Sequence, residues 1–294
     1  MKARAWQYGF LGVLALLVSS GCMVYQPTWP EHLPSQPSER PSWQIAMAQQ
    51  RFSTTNSKEA LLKSMDSFRK VLEVDPGNRE AHVSLCNQYI LLGAAYTTES
   101  RAKGRYYRMA RKSCELAMYT NPDFKHEVDS GTRPWQASHT LEKEDAPAML
   151  FWVTALQYEF KEVMSTPGKI VNIHWLKRAL HFLDRITLVA PEYGNGAVEM
   201  AYAVCFCALP GFFGGDDERC YAFMESAVDK SEGYLLARWG RGRFFHQVTG
   251  DSQSARQDLQ WVVSRDFDQY SDAYPWRLYF QRDARAALAI WDEQ

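Results

Sequence analysis

A glycine-rich loop, LPGFFGGD at residues 209–216, is the stretch of this chain whose composition could form a phosphate-binding site. A P-loop places a lysine and a hydroxyl group directly after its glycines, where they meet the phosphates and Mg²⁺. Here three acidic residues follow the last glycine, Asp216, Asp217 and Glu218, and their charge would repel a phosphate. A Rossmann loop would follow a β-strand, whereas the residues before this loop have a helical pattern. Both nucleotide-binding interpretations are therefore excluded.

The same loop has the residues of a turn between two helices. Such a turn needs a helix stop, permissive backbone angles and an N-cap, and the loop supplies them in Pro210, Gly214, Gly215 and Asp216. Two adjacent phenylalanines, Phe212 and Phe213, are more than a turn requires. We expect one of them to be structural and the other to contact a partner or a sister subunit.

The histidines and acidic residues form no pattern of a metal or catalytic site. None of the seven histidines belongs to an HExxH motif, and His174 and His181 would give only two ligands on one helix face. There is no GxSxG nucleophile elbow and no pair of carboxylates whose environments would separate their pKa values. We therefore predict no catalytic site, no metal and no cofactor, and a protein that is not an enzyme.

The cysteines of the chain suggest structural roles. Cys205 and Cys207 are two residues apart, so on a helix their thiols point in different directions and do not form a metal or redox pair. We interpret both as small buried side chains. Cys86 and Cys114 fall on two facing helices of one repeat and could form a disulfide in an oxidising compartment if their Cα atoms lie within ~7 Å.

The overall composition excludes a general affinity for nucleic acid. Lys and Arg number 33 and Asp and Glu 34, so no global field attracts a polyanion. With 294 residues and 46% hydrophobic content, the chain can form one sizeable core or an elongated repeat array. We expect most of its 10 Trp, 15 Tyr and 15 Phe to lie in the core, with the remainder available to line a groove or pocket.

The N-terminus has the features of an export signal. An apolar run at residues 10–18 is shorter than the ~20 residues of a membrane-spanning helix. The sequence SSGC that ends at Cys22 resembles a bacterial lipobox, although Ser19 stands where Leu is usual. We predict that residues 1–21 are a lipoprotein signal peptide and that Cys22 carries the lipid, palmitate included. An ordinary secretory signal with a chance cysteine is the alternative.

Residues 22–42 are rich in proline and should form a tether. Five prolines favour an extended polyproline II segment of about 3.1 Å per residue, which would hold a soluble body away from the membrane: Pro27, Pro30, Pro34, Pro37 and Pro41. Met23 follows the cysteine, with no aspartate retention signal there. By the sorting rule of some bacteria, this favours the outer membrane over the inner one.

Residues 43–294 should form an all-α domain. No stretch alternates apolar and polar residues as a strand does, and a period near 3.6 recurs instead, for example in Leu61, Met65, Phe68 and Leu72. Helices should stop at Pro76, Pro122 and Pro191. Small and bulky residues recur at fixed offsets before each stop: Ser64, Phe68 and Val71; Ala110, Cys114 and Ala117; Ala179, Leu183 and Ile186.

This pattern is typical of the second helix of a tetratricopeptide repeat, whose length is about 34 residues. The prolines here are 46 and 69 residues apart, so loops interrupt the array. We predict a degenerate tetratricopeptide-like solenoid of helix pairs with a right-handed superhelix. A fourth pair should span 196–231, a fifth 234–266, and a closing helix should begin near 276. The polar insert at 123–146 should be a functional or mobile loop.

Residues 145–236 resemble the T-component family of TRAP transporters (TatT-like proteins). The matching segments are AMLFW at 148–152, PEYGNGA at 191–197, LP at 209–210, GGD at 214–216, Ala227 and SEG at 231–233. The chain departs from the family at 205–207 and 217–220. The resemblance implies a periplasmic lipoprotein with degenerate tetratricopeptide helices, which associates with the substrate-binding protein of a TRAP system. Some members form trimers with an internal hydrophobic channel.

The resemblance implies an accessory lipoprotein of TRAP-type solute uptake, anchored in the cell envelope and facing the periplasm, which binds the substrate-binding protein and a small apolar ligand. The alternatives are a generic tetratricopeptide scaffold for envelope complexes and an enzyme with an unrecognised site. A closed apolar pocket would favour small-molecule binding and an open groove peptide binding. The side chains that we expect to contact a partner or ligand are Phe212, Phe213, Trp152, Tyr202 and Phe206.

The lipidation of Cys22 can be tested on protein extracted from membranes. Intact-mass measurement should show a chain that begins at Cys22 and carries acyl groups, because the lipobox directs acylation before cleavage. The Cys22→Ser variant should carry no lipid. An unmodified chain cut at another position would contradict the lipoprotein interpretation.

Overall fold

The computed structural model describes residues 22–27, 29 and 42–292. The predicted signal peptide and residues 28 and 30–41 of the predicted tether lie outside this part. The structure is 76% helical, and the described residues contain no strand, which confirms the all-α helical solenoid. None of the described helices is both long enough and apolar enough to cross a membrane.

The helices follow one another along the chain with short connections. The N-terminal half contains α1 Ser42–Ser53, α2 Lys58–Val74, α3 Arg79–Tyr96, α4 Ser100–Met118, α5 Pro122–Asp129, α6 Ala146–Glu162 and α7 Thr166–Asn172. The C-terminal half contains α8 His174–Val189, α9 Ala197–Ala208, α10 Asp217–Asp229, α11 Leu236–Gly240, a π-helical turn Arg241–Phe245, α12 His246–Thr249, α13 Ser252–Ser264 and α14 Tyr274–Asp292.

Neighbouring helices pack in pairs, as the repeat pattern predicts. Helix α3 packs between α2 and α4, α6 lies against α4 and α8, and α9 pairs with α10 across the glycine-rich loop. Helices α2 and α8 stop just before Pro76 and Pro191, because proline cannot continue a helix. Pro122 is different: it is the first residue of α5, where its missing N–H needs no partner, and Asn121 caps that helix.

The insert at 123–146 is not the loop that we expected from its polarity. It contains α5 and the short 3₁₀ turns Ala137–Thr140 and Lys143–Asp145. Trp135 and Leu141 within it are buried, and the Arg185 Nε–H donates to the Leu141 carbonyl at 2.6 Å. A few widely spaced apolar side chains therefore bind the insert to the body, despite its polar composition.

The last helix packs against the first repeats of the solenoid. The Trp276 Nε1–H on α14 donates to Asn87 Oδ1 on α3 at 2.8 Å, a contact between residues 189 positions apart. Helix α14 also contacts α1, and the Arg282 guanidinium lies 5.5 Å from the Tyr96 ring centre. The helix predicted as a cap thus also contacts the first helices of the solenoid.

Two disulfides join neighbouring helices. Cys86 and Cys114 link α3 to α4 with Cα atoms 5.6 Å apart, so the bond left open by the sequence is present. Cys207, which we interpreted as a small buried side chain, is instead bonded to Cys220 on α10. Comparing Cys207 only with Cys205 missed this partner, which the turn brings back beside it. Cys205 remains a buried free thiol, and burial raises its pKa to about 12.

The first residues of the predicted tether lie against the body. The Met23 backbone N–H donates to Asn172 Oδ1 at 2.6 Å, and the Trp175 indole N–H donates to the Met23 carbonyl at 3.3 Å. The Tyr25 ring packs edge-on against Trp135, with centroids 5.3 Å apart. Because these aromatic and hydrogen-bonded contacts compete with extension, residues 23–25 do not provide free tether length.

The Trp29 ring and the Tyr25 hydroxyl make two further contacts between this N-terminal segment and the body. The Trp29 ring stacks on Tyr119 with centroids 4.8 Å apart. The Tyr25 hydroxyl donates to Glu115 Oε2 at 3.3 Å. Burial raises the pKa of Glu115 to about 7, although hydrogen bonds from Trp152 and Tyr25 favour its charged form. The segment after Cys22 thus covers a buried acid.

The turn between α9 and α10 has the geometry that its residues predict. Helix α9 ends at Ala208, a 3₁₀ turn spans Gly211–Phe213, and Gly214 has a φ of +96°, in the left-handed region. A Cβ atom on Gly215 would lie 1.7 Å from the Leu209 carbonyl oxygen, so only glycine fits. Asp216 caps α10 by accepting from the Arg219 backbone N–H at 2.9 Å.

Alanine substitution of Gly215 and of Gly211 distinguishes a glycine that the backbone contacts closely from one that is exposed. Gly215→Ala should lower the free energy of unfolding by ~2 kcal/mol or more, because its Cβ would collide with backbone. Gly211→Ala is the matched control, since nothing lies within 4 Å of a Cβ atom there. Denaturant unfolding of both variants measures the difference, and equal midpoints would contradict the requirement for glycine at 215.

Candidate functional site: a central cavity and an exposed turn

The packed helices surround a cavity of about 770 Å³ that is partly open to solvent. Its walls come from α6, α8, α9, α11 and α14, together with the loops at 192–195 and 271–273. Aromatic rings form much of this lining: Phe151, Tyr158, Phe160, Tyr193, Tyr234, Trp239, Phe244, Phe245, Trp276 and Phe280. A volume of this size with an apolar lining is typical of a small-molecule site.

The three core aromatics that we predicted as ligand contacts do not line this cavity. Trp152 is fully buried, and its indole N–H donates to Glu115 Oε1 at 2.8 Å, in the interface with α4. Tyr202 donates its hydroxyl to Asp184 Oδ1 at 2.7 Å. Phe206 and Tyr202 both stack on Phe223 of α10, with centroids 5.7 and 4.7 Å away. These side chains lie in contacts between helices, and their contact with a partner or ligand stays a prediction.

Their neighbours on the same helices face the cavity instead. Phe151 lines it beside Trp152, and on α9 the lining residues are Ala201, Val204, Cys207 and Ala208. Consecutive residues of an α-helix are rotated by about 100° about its axis, so the side chain next to a predicted one lies on another face of the helix. A sequence signal existed: α6 and α9 are apolar on more than one face, and such a helix has a second surface to bury.

The π-helical turn Arg241–Phe245 places two consecutive phenylalanines on the cavity wall. Phe244 and Phe245 both line it, although consecutive residues of a regular helix point in clearly different directions. Phe244 packs edge-on against Trp239, another lining residue, with centroids 5.0 Å apart. Such turns recur at functional sites of helical proteins. Nothing in the sequence indicated the irregular turn.

Three neutral polar groups of the wall, on Gln157, Thr154 and Asn87, are hydrogen-bonded within the protein. The Gln157 Nε2–H donates to the Ala201 carbonyl at 2.8 Å, joining α6 to α9. The Thr154 hydroxyl donates to the Leu150 carbonyl at 2.9 Å, and Asn87 accepts from Trp276. These groups are therefore used in forming the wall.

Among the titratable groups of the wall, a lysine and an aspartate have shifted pKa values that bear on ligand charge. Lys161, at the end of α6, keeps an accessible side chain because it faces the cavity, yet surrounding protein desolvates its ammonium and lowers its pKa to about 7. Burial likewise raises the pKa of Asp272 to about 6, although the Leu235 backbone N–H donates to its Oδ2 at 2.6 Å. Perturbed groups in a cavity mark a candidate binding site.

The two phenylalanines of the glycine-rich loop have different environments. Phe212 is 86% exposed, whereas Phe213 is partly buried and packs against the core. Their rings are 4.9 Å apart, so Phe213 supports one side of Phe212. The structure divides the pair into a packed and an exposed member. Contact of Phe212 with a partner stays a prediction.

Within the described residues, no three His, Cys, Asp or Glu side chains converge to hold a metal ion. The two candidate sites in the described residues are thus the cavity and the exposed turn. No curated protein was found to match the chain. The family model of the TRAP transporter T-component matches residues 61–293, which include the cavity walls, the turn at 209–216 and the closing helix. The chain belongs to the TRAP transporter T-component family.

Proposed function

We propose that this protein is a lipid-anchored accessory component of a TRAP-type uptake system, which holds a small apolar solute in its central cavity. The observation that carries the proposal is the cavity of about 770 Å³ with its aromatic walls. Burial of apolar surface against such walls supplies ~25 cal/mol per Å² of driving force for a solute. Family membership supports the transport context, in the cell envelope.

The packing of the last helix on the first repeats favours a solute over an extended peptide. The alternative, a scaffold lipoprotein that assembles envelope complexes, would use an open groove. Here Trp276 of α14 reaches Asn87 of α3, so the chain's own last helix lies against the repeats that such a groove would need free. Solute binding is therefore the better account of the fold.

The anchor is a lipid on Cys22, which holds the body at the periplasmic side of the outer membrane. Cys22 is exposed and belongs to neither disulfide, so its thiol is accessible to acylation. The hydrogen bonds of Met23 keep the anchor close to α7 and α8. The body therefore lies near the membrane surface.

The exposed turn is the surface through which we propose that the TRAP substrate-binding protein is bound. Phe212 is a large apolar side chain at 86% exposure on a turn held by Gly215 and Asp216. Aromatic anchors of this kind dominate the affinity of protein interfaces. A sister subunit of a trimer is the other candidate for the same side chain.

Filling the cavity tests solute binding. The full chain carrying Cys22→Ser, which needs no detergent, should enhance the fluorescence of the neutral apolar dye Nile red. Val204→Trp places a large ring from α9 into the cavity and should abolish most of this enhancement. Leu188→Trp is the control, because Leu188 is 72% exposed on α8. Equal dye binding by both tryptophan variants would overturn the proposed cavity function.

Truncating Phe212 tests the partner surface. Phe212→Ala should leave thermal unfolding unchanged, since the ring is exposed, but should weaken capture of the TRAP substrate-binding protein by about 30-fold, as expected for loss of a hot spot. Ile290→Ala, at a 57% exposed position on α14, should bind like wild type. Loss of a trimer on sizing, with capture unchanged, would assign Phe212 to the sister subunit instead.

A further inference from the structure

An amine stands in the apolar wall of the cavity. Lys161 lines it at the end of α6, among the rings of Tyr158, Trp239 and Phe244. Its Nζ lies over the face of the Phe244 ring, a cation–π contact. No hydrogen bond or ion pair of Lys161 is formed within the part of the chain that the structure describes. An ammonium with only an aromatic face as partner is costly in a desolvated site.

The acids nearest to Lys161 are already paired with other donors. Glu162 accepts from Lys103 Nζ at 2.9 Å and from the Tyr107 hydroxyl. Asp283 on α14 accepts from Arg243 Nε and from Trp239 Nε1, both at 2.9 Å. These carboxylates are therefore neutralised by their own partners, and the charge on Lys161 is left for a group that enters the cavity.

We propose that the cavity takes an apolar monocarboxylate, a molecule of the alkyl carboxylate class, whose single negative charge is bound by Lys161 while its chain packs on the aromatic walls. This inference rests on the proposed function and names the class of its solute. A charge-assisted hydrogen bond to the ammonium is stronger than a hydrogen bond between neutral groups.

The rest of the wall opposes a second charge on the ligand. The other charged groups along the cavity are Lys169, Glu192 and Asp272, and the Asp272 carboxylate is held by the Leu235 backbone N–H. Among these three groups the two acids outnumber the one cation, so a second carboxylate would meet a net negative charge, and the remaining lining is mainly aromatic and aliphatic. A dicarboxylate of equal length should therefore bind less well than the monocarboxylate.

Binding of the carboxylate should weaken as the pH rises above 7. The pKa of Lys161 is lowered to about 7, so its amine becomes neutral above that value and affinity for an anion should fall by up to tenfold per pH unit. Glu162 and Asp283 oppose this lowering, and Arg243 and Lys103 contribute to it. Asp272, with a pKa of about 6, is ionised throughout the range from pH 7 to 9 and adds no change there.

Competition against Nile red tests the assignment on the full Cys22→Ser chain. At pH 6.5, decanoate should displace the dye about tenfold more effectively than 1-decanol and than decanedioate. Lys161→Met should remove the preference for decanoate over decanol. Lys177→Met, at an exposed position on the adjacent helix α8, should keep it.

The Lys161→Arg variant separates recognition of charge from a structural role. Arginine stays charged across this range, so the preference for decanoate should persist from pH 7 to 9 in this variant while it declines in wild type. Decanol and decanoate that displace the dye equally from wild type, with Lys161→Met unchanged, would overturn the carboxylate assignment and leave the apolar cavity function standing. Failure of every ligand to displace the dye would overturn both.

Discussion

Helix α6 has apolar side chains on nearly every side, and the structure is arranged around the need to bury it. A helix of this composition is stable in water only when other elements cover its whole circumference. Helices α4, α8, α3 and α9 supply most of that cover. The side that remains faces the lumen through Phe151, Thr154 and Tyr158. The cavity thus lies against the side of α6 that no other helix covers.

The interface between α4 and α6 carries charges that would be costly if left alone. The buried Glu159 accepts from Arg111 at 2.6 Å and Arg108 at 3.0 Å, so each helix supplies a partner to the other. Arg111 also lies 5.8 Å from the Trp152 ring centre, beside the hydrogen bond between Trp152 and Glu115. These paired groups fix how the two helices face each other. Lys161, on the same helix, is the group that this pairing leaves out.

The sequence was informative where local chemistry decides the structure. The turn at 209–216 and the helix stops before Pro76 and Pro191 could be predicted, because each depends on residues close together in the chain, whereas Pro122 begins α5. Family membership could be predicted from short motifs between residues 148 and 233. The helix face that lines the cavity could not be predicted from the sequence. Whether Trp152 or Phe151 meets the lumen depends on which helices lie around α6, and period alone gives faces without naming their neighbours. The same limit applies to the pairing of Cys207 with Cys220 and to the docked segment at Tyr25.

The contact between Trp276 and Asn87 gives this protein an unusual order of assembly. Helix pairs within the solenoid join residues close in sequence, whereas this hydrogen bond joins residues 189 positions apart. Non-local contacts form late, since the entropy of closing so long a loop opposes them until the intervening repeats are folded. Before α14 packs against the other helices, the aromatic lumen is an exposed apolar surface, and such surfaces promote association of partly folded chains. The C-terminal 19-residue helix therefore covers part of this surface as well as completing the cavity, and a chain cut before it would expose the aromatic lumen to other molecules.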